Sequence, residues 1–328
     1  MAQPLQRPAL GVVRFYNFMP EGASFLDDVL QGLALPRKTL PSQYRCDARG
    51  RALLEKIVEL PGYQRARAEF ALMREHGAAM AKFLGPDCQL IELGNCPSRT
   101  THLLIERLQP PLYVPIDIDG EVMRAHVGAL AHAFAWLNVN GVCADYAKLP
   151  TLPEFVGVPI RKKAVYCPGT ALGNSAPQEM LELLQFARRT VGLGGSLLIG
   201  VELKKDQPTR RAAYADAVGV IAAFNLNLLA RINRELGGDF QLQRFRHRAV
   251  QDADLDRVEL QVESVASQFV HVGGTRLRFE QGETLFTGAF CRYGIDEFRA
   301  LAQRAGFAPA QAWIDDAADF SVHALIAV

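Results

Sequence analysis

The alternation of apolar and polar positions divides the chain into four stretches. Residues 1 to 40 contain several prolines and little periodicity, which predicts a segment wrapped over a body formed later in the chain, with a lid as one use for it. From about Asp47 to Leu84 the apolar positions Leu53, Leu54, Ile57 and Val58, then Phe70, Leu72, Met73, Met80 and Phe83, are spaced for buried helical faces. Between Cys88 and Gly200 the rhythm changes to short apolar runs: QLIELG, LYVPIDID, GVCADY, KKAVYCPG and SLLIGVEL. Each is bounded by Gly, Pro or Asp, and helical stretches separate most of them, which is the pattern of a parallel sheet. Ser175 followed by Pro177 and Gln178 predicts a helix start there, and GLGGS at 192 to 196 predicts that helix's end.

A long amphipathic helix is predicted over 210 to 240. Val218, Ile221, Leu228, Ile232 and Leu236 recur there at steps of three, four or seven, and Gly237 and Gly238 are placed to end it. Tyr214, Asn225 and Asn227 are its unusual polar members. The segments VELQVESV, SQFVHV and TRLRFEQGETLFTGAF then read as antiparallel strands, so residues 201 to about 293 read as an insertion. IDEFRALAQRAGFAPAQAWIDD followed by FSVHALIAV predicts a helix, a turn and a final strand that returns to the first sheet.

Composition narrows the class. A chain of 328 residues with 49% hydrophobic residues, 22% charged residues and a net charge of +1 has ample material for a core. Balanced charge supplies no field for a phosphate backbone, which makes nucleic acid and anionic membrane poor partners. The six cysteines are scattered, with no CxxC pair and no histidine at metal-ligand spacing, which predicts reduced thiols and no metal. The first residues lack a basic region followed by an apolar run, and no later stretch approaches a membrane span, so a cytoplasmic location is expected. The seven histidines form no spaced cluster.

In an open parallel sheet, ligands bind beyond the carboxyl ends of the strands. The residues to inspect are therefore Gly94 to Ser98, Asp117 to Glu121, Asp145 to Tyr146 and Gly169 to Asn174. A glycine after the first strand admits a ligand close to the backbone, and an acid after the second suits the two hydroxyls of a ribose. An Asp followed by an aromatic residue after the third suits an adenine edge. ELGNCPS has a single glycine and so is not a dinucleotide fingerprint, and no GxxxxGK[ST] is present. Each candidate has an alternative reading: Asp117 and Asp145 as turn or cap residues, Asn174 as a turn former, Tyr214 as a packing residue.

Several segments, in order, resemble the histidine Nα-methyltransferases of ergothioneine biosynthesis, which use S-adenosylmethionine (SAM). They are DARGRALLEKIVELPGYQRARAE, ELGNCPSRT, YVPIDIDGEV, YCPGTALGNSAPQEM, GVELKKD, the 210 to 240 helix, FRHRAVQD and FEQGETLFTGAF, covering residue 38 to the C-terminus. The resemblance implies a Rossmann-like SAM-dependent methyltransferase sheet with an inserted α+β second domain. Residues 1–65 and 201–293 would form the substrate-binding or lid domain, and 66–200 with 294–328 the SAM-binding domain. Carried over residue by residue, it places Gly94, Asp117, Asp145 and Tyr146 against SAM, and Tyr63, Asn174 and Tyr214 against the α-amino and carboxylate groups of an amino-acid substrate.

The departures from the family pattern are specific. Where the family has a Glu and a Ser that hydrogen-bond the substrate imidazole, this chain has Gly288 and Phe290; the family's pocket Met is Leu260, and a second tyrosine near the substrate is Cys46. The family's second loop glycine and a nearby lysine are Cys96 and Thr100, with Pro97 stiffening the turn. A pocket without polar partners disfavours an imidazole. The expectation is therefore a SAM-dependent methyltransferase acting on the α-amine of a non-histidine amino acid with an apolar or aromatic side chain. Two alternatives stand beside it: transfer or cyclisation of SAM's aminocarboxypropyl arm with release of methylthioadenosine, and a protein that binds SAM or an amino acid without turnover.

Overall fold

The structure, a computed structural model, describes residues 11–19, 25–60, 63–94, 99–146, 148–149, 151–155, 157–169, 177–204, 219–252 and 257–328. In chain order the strands are β1 (Val13–Asn17), β2 (Cys88–Leu93), β3 (Leu112–Asp117), β4 (Asn138–Cys143), β5 (Lys162–Cys167), β6 (Ser196–Glu202), β7 (Phe245–Asp252), β8 (Arg257–Ser264), β9 (Gln268–Val272), β10 (Thr275–Phe279), β11 (Thr284–Cys291), β12 (Phe307–Ile314) and β13 (Phe320–Ala327). The helices are α1 (Phe25–Ala34), α2 (Ala48–Glu59), α3 (Arg65–Leu84), α4 (Arg99–Leu108), α5 (Gly120–Ala133), α6 (Pro177–Val191), α7 (Val220–Leu236) and α8 (Ile295–Arg304).

Eight strands form one sheet in the order β1-β4-β3-β2-β5-β6-β13-β12. The first six in that order pair in parallel, and the β12–β13 hairpin closes the edge in antiparallel sense. The strands β2 and β3 are buried along their whole length, as expected for a sheet covered on both faces. One face packs on α6 and α8 through Leu184, Phe186, Phe298 and Leu301; the other packs on α3, α4 and α5 through Met73, Met80, Leu104 and Val127. This is a doubly wound, Rossmann-like sheet. Its chain order reverses between β2 and β5, and that reversal opens a crevice at the strands' carboxyl ends.

The insertion contributes a three-stranded antiparallel sheet, β11-β8-β7, and the β9–β10 hairpin. Helix α7 packs Leu228, Leu229 and Ile232 into this layer together with Val29 and Leu33 of α1. The predicted long helix ends where its glycines predict, with Gly237 in the left-handed region at φ 64°; its expected first part, 210 to 218, lies outside the described residues. The polar positions Asn225 and Asn227 are tethers. Asn225 donates to the Gln261 carbonyl and accepts from Thr287, while Asn227 donates to Asp47 at 2.7 Å. Asp47 in turn caps α2 by accepting from the Gly50 N–H at 2.7 Å.

Three strands depart from the sequence expectation. Segment 13–17, grouped with the lid, instead forms β1 and extends the main sheet by pairing with β4. Its residues are mostly exposed, so it lacks the alternation that marks a half-buried strand. Residues 245–252 form β7, and 307–314 form β12, where a turn was expected. Pro309 sits beside a bulge on that edge strand, a position where a missing N–H costs little.

Candidate active site

The carboxyl ends of β2, β3 and β4 open into a cavity of about 1540 Å³ that also receives residues from α2, α7, β8 and β11. From the sheet side Gly94, Asp117, Asp145 and Tyr146 line it; from the other side Cys46, Tyr63, Leu260 and Phe290 do. Residues from two groups far apart in sequence thus share one space. Asn174 and Tyr214, with Cys96 and Pro97, lie outside the described residues.

The sheet end is built from backbone. Gly94 follows β2 at φ 78°, a conformation a side chain would strain, and its N–H donates to the Ile116 carbonyl. Asp117 ends β3 and accepts the Asp119 N–H at 3.0 Å, while Asp119 caps α5 by accepting from Glu121 and Val122. Burial pushes the Asp117 carboxyl up, and the Asp119 N–H and Arg51 pull it back. Lys148 lies 3.7 Å from Asp145, and the Tyr146 ring packs 6.0 Å from Phe186. Strand β1 adds Phe15, Tyr16 and Asn17 to the wall, a contribution its exposed pattern did not signal. The Thr100 hydroxyl accepts from Tyr166 at 2.8 Å.

The opposite end is cationic as well as aromatic. Arg65, 7% exposed, lies over the rings of Tyr63 at 4.4 Å and Phe290 at 5.0 Å, donates to the Tyr63 hydroxyl and faces Glu202 at 3.5 Å. Glu202 also receives two hydrogen bonds from Arg292, at 3.0 and 2.7 Å. Burial pushes the Tyr63 phenol up, with Arg65 opposing, so it keeps its proton at neutral pH. Arg45, 1% exposed, lies over the Phe224 ring at 5.3 Å. Gly288 does not line the cavity but backs it: a Cβ there would stand 2.9 Å from Arg45 Nη2. Burial pushes the Cys46 thiol up.

A family model described as "Histidine-specific methyltransferase, SAM-dependent" matches residues 25–327. The chain is 32% identical over 302 residues to the histidine N-alpha-methyltransferase of Mycolicibacterium smegmatis, covering 90% of this chain and 92% of that one. It is 33% identical over 315 residues to the Mycobacterium tuberculosis protein of the same name, covering 93% and 97%. An N-methyltransferase of Aspergillus fumigatus, fsqC, is 24% identical over 224 residues, covering 66% of this chain and 60% of that one. The chain belongs to the histidine-specific, SAM-dependent methyltransferase family.

This methyltransferase has a cavity that fits its cofactor. The positive-φ glycine at 94 leaves the backbone open to close approach, and a buried carboxylate ends β3 at position 117 on the cavity wall. Among the described residues nothing favours aminocarboxypropyl transfer or a silent binding protein over methyl transfer. Among the described residues no cluster of His, Cys, Asp or Glu could hold a metal ion, and no helix is long and apolar enough to cross a membrane. Of the residues expected in the substrate pocket, Cys46, Leu260 and Phe290 line the cavity and Gly288 stands behind it, while Phe224, Arg45 and Arg65, which also line it, were not signalled by the sequence. An arginine read from sequence is a surface residue by default, and only tertiary convergence buries these two.

Proposed function

We propose that this methyltransferase transfers a methyl group to the α-amine of an amino acid other than histidine. One observation carries the exclusion of histidine: where the resemblance places the polar partners of an imidazole, the chain has a glycine facing Arg45 and a phenyl ring under Arg65. A neutral imidazole entering this end leaves water without the Glu and Ser of the family pattern, and an imidazolium meets Arg45 and Arg65.

SAM, when bound, supplies an electrophilic methyl group on its sulfonium sulfur. The chain's own residues bind and align. Asp117 accepts from the ribose hydroxyls, and Asp145 with Tyr146 flanks the adenine. Tyr63, with Asn174 and Tyr214, holds the α-carboxylate and α-amine. The Tyr63 oxygen already accepts from Arg65, so its own proton is left to donate to the substrate carboxylate. That arrangement leaves the α-nitrogen lone pair free to attack in line, and alignment of this kind supplies much of the acceleration.

Fragmentation mass spectrometry of the products formed with SAM and a pool of amino acids should place the new methyl group on the α-nitrogen, with S-adenosylhomocysteine released in step. Asn174→Ala should raise the KM for the amino acid about thirtyfold and leave the Kd for SAM within about twofold. Methyl found on a side-chain atom, or equal loss of both affinities, would overturn this reading.

A further inference from the structure

We propose that Arg45 sets substrate choice by holding a carboxylate on the side chain of the amino acid that is methylated. The inference rests on the α-amine reading above and adds the chemistry of the side chain.

Arg45 ends the 3₁₀ turn Ser42–Arg45, just before the Asp47 cap of α2. Its Nε donates to the Ser42 carbonyl at 3.2 Å and its guanidinium covers the Phe224 ring, but Nη1 is buried with no hydrogen-bond partner. No carboxylate among the described residues pairs with it. Arg65, also in the cavity wall, is already engaged by Tyr63 and Glu202. Burial, with Arg65 nearby, pushes Arg45 down to about 10, which leaves it cationic at neutral pH.

An unpaired buried guanidinium is costly, and a second cation beside it raises that cost. One anion entering the cavity relieves both. A guanidinium presents a planar fork that suits a carboxylate in two-point contact, and the room it needs is secured by Gly288, whose missing Cβ leaves space for Nη2. Phe224, Leu260 and Phe290 supply apolar walls for the methylenes that would carry this carboxylate. The ligand class is an acidic α-amino acid with an aliphatic stem, of which L-glutamate is the probe.

The test is calorimetric titration of the full chain, saturated with S-adenosylhomocysteine, by L-glutamate, L-glutamine and L-norleucine, for the wild type and Arg45→Met. The wild type should bind glutamate at least about tenfold tighter than the other two, and Arg45→Met should abolish that preference. The same variant without ligand should melt no lower than the wild type, because it replaces a buried unpaired charge with an apolar chain of similar length. Glutamine or norleucine binding as well as glutamate would overturn the proposal. Equal weakening of all three by Arg45→Met would assign Arg45 to the α-carboxylate and also overturn it. A lowered melting temperature with the glutamate preference intact would make Arg45 structural. The α-amine reading fails separately, by methyl found elsewhere on a substrate whose carboxylate preference persists.

Discussion

The two ends of the cavity are built by different means. At the sheet end the ligand-facing groups follow directly after strands, on backbone positions fixed by the ladder: Gly94 after β2, Asp117 at the end of β3, Asp145 after β4. At the opposite end no single element dominates. Arg45 comes from a 3₁₀ turn, Phe224 from α7, Leu260 from β8, Phe290 from β11, Tyr63 from the approach to α3 and Arg65 from its first residue. The first end is tied to the eight-stranded sheet. The second depends on tethers such as Asp47 with Asn227, which hold α2 against α7. A fold can therefore keep its cofactor end while the substrate end changes by a few side chains.

The largest expected effect separates the ends. Asp117→Ala should weaken SAM binding by about 100-fold, roughly 3 kcal/mol, because it removes the acceptor proposed for the ribose hydroxyls. Amino-acid binding to a cofactor-saturated enzyme should change little. Equilibrium dialysis with labelled SAM checks the first statement, and loss below about fivefold would count against the assignment.

Next comes Gly288→Ala, which should destabilise the protein by about 1–3 kcal/mol and weaken amino-acid binding while sparing SAM. The backbone there lies at φ 151° and the new Cβ would crowd Arg45. Urea denaturation measures it. Asp47→Ala should cost about 1–2 kcal/mol by uncapping α2 and freeing Asn227 and Arg234, again with the damage confined to the amino-acid end. An equal loss of SAM affinity would show that the ends are not separable.

The smallest effect lies beneath the sheet end. Glu92 is fully buried, and burial pushes its carboxyl up to about 8 despite hydrogen bonds from Thr101 and Tyr113. Because the folded value is raised above the ordinary 4.5, the stability this group contributes is complete below about 4.5 and is lost as pH rises toward about 8. Glu92→Gln should remove that slope, reducing the fall in Tm between about pH 5 and pH 8.5 by roughly 2–4 °C. An unchanged slope would mean that Glu92 titrates normally.

The same contrast explains what the sequence made legible. Strands β2 to β6 announce themselves as apolar runs with a Gly, Pro or Asp at the boundary, and their carboxyl ends can be named because parallel topology fixes where ligands sit. Gly237 marks a helix end by its own conformational freedom. Strand β1 was missed because most of its residues face outward. Arg45 and Arg65 were missed for a different reason. Their neighbours Phe224, Gly288, Phe290 and Glu202 stand more than a hundred residues away, and no local spacing records that meeting. Polar positions inside an apolar helix, Asn225 and Asn227, were the available signal that distant polar groups converge there.

We propose that the substrate end of this family member does not select histidine. The most direct measurement is competition: kcat/KM for L-histidine against kcat/KM for the best member of an amino-acid pool, with SAM saturating. That ratio should fall below about 0.01, the discrimination expected when a polar group is buried without its partner. A ratio above about 1, with histidine as the preferred substrate, would contradict it.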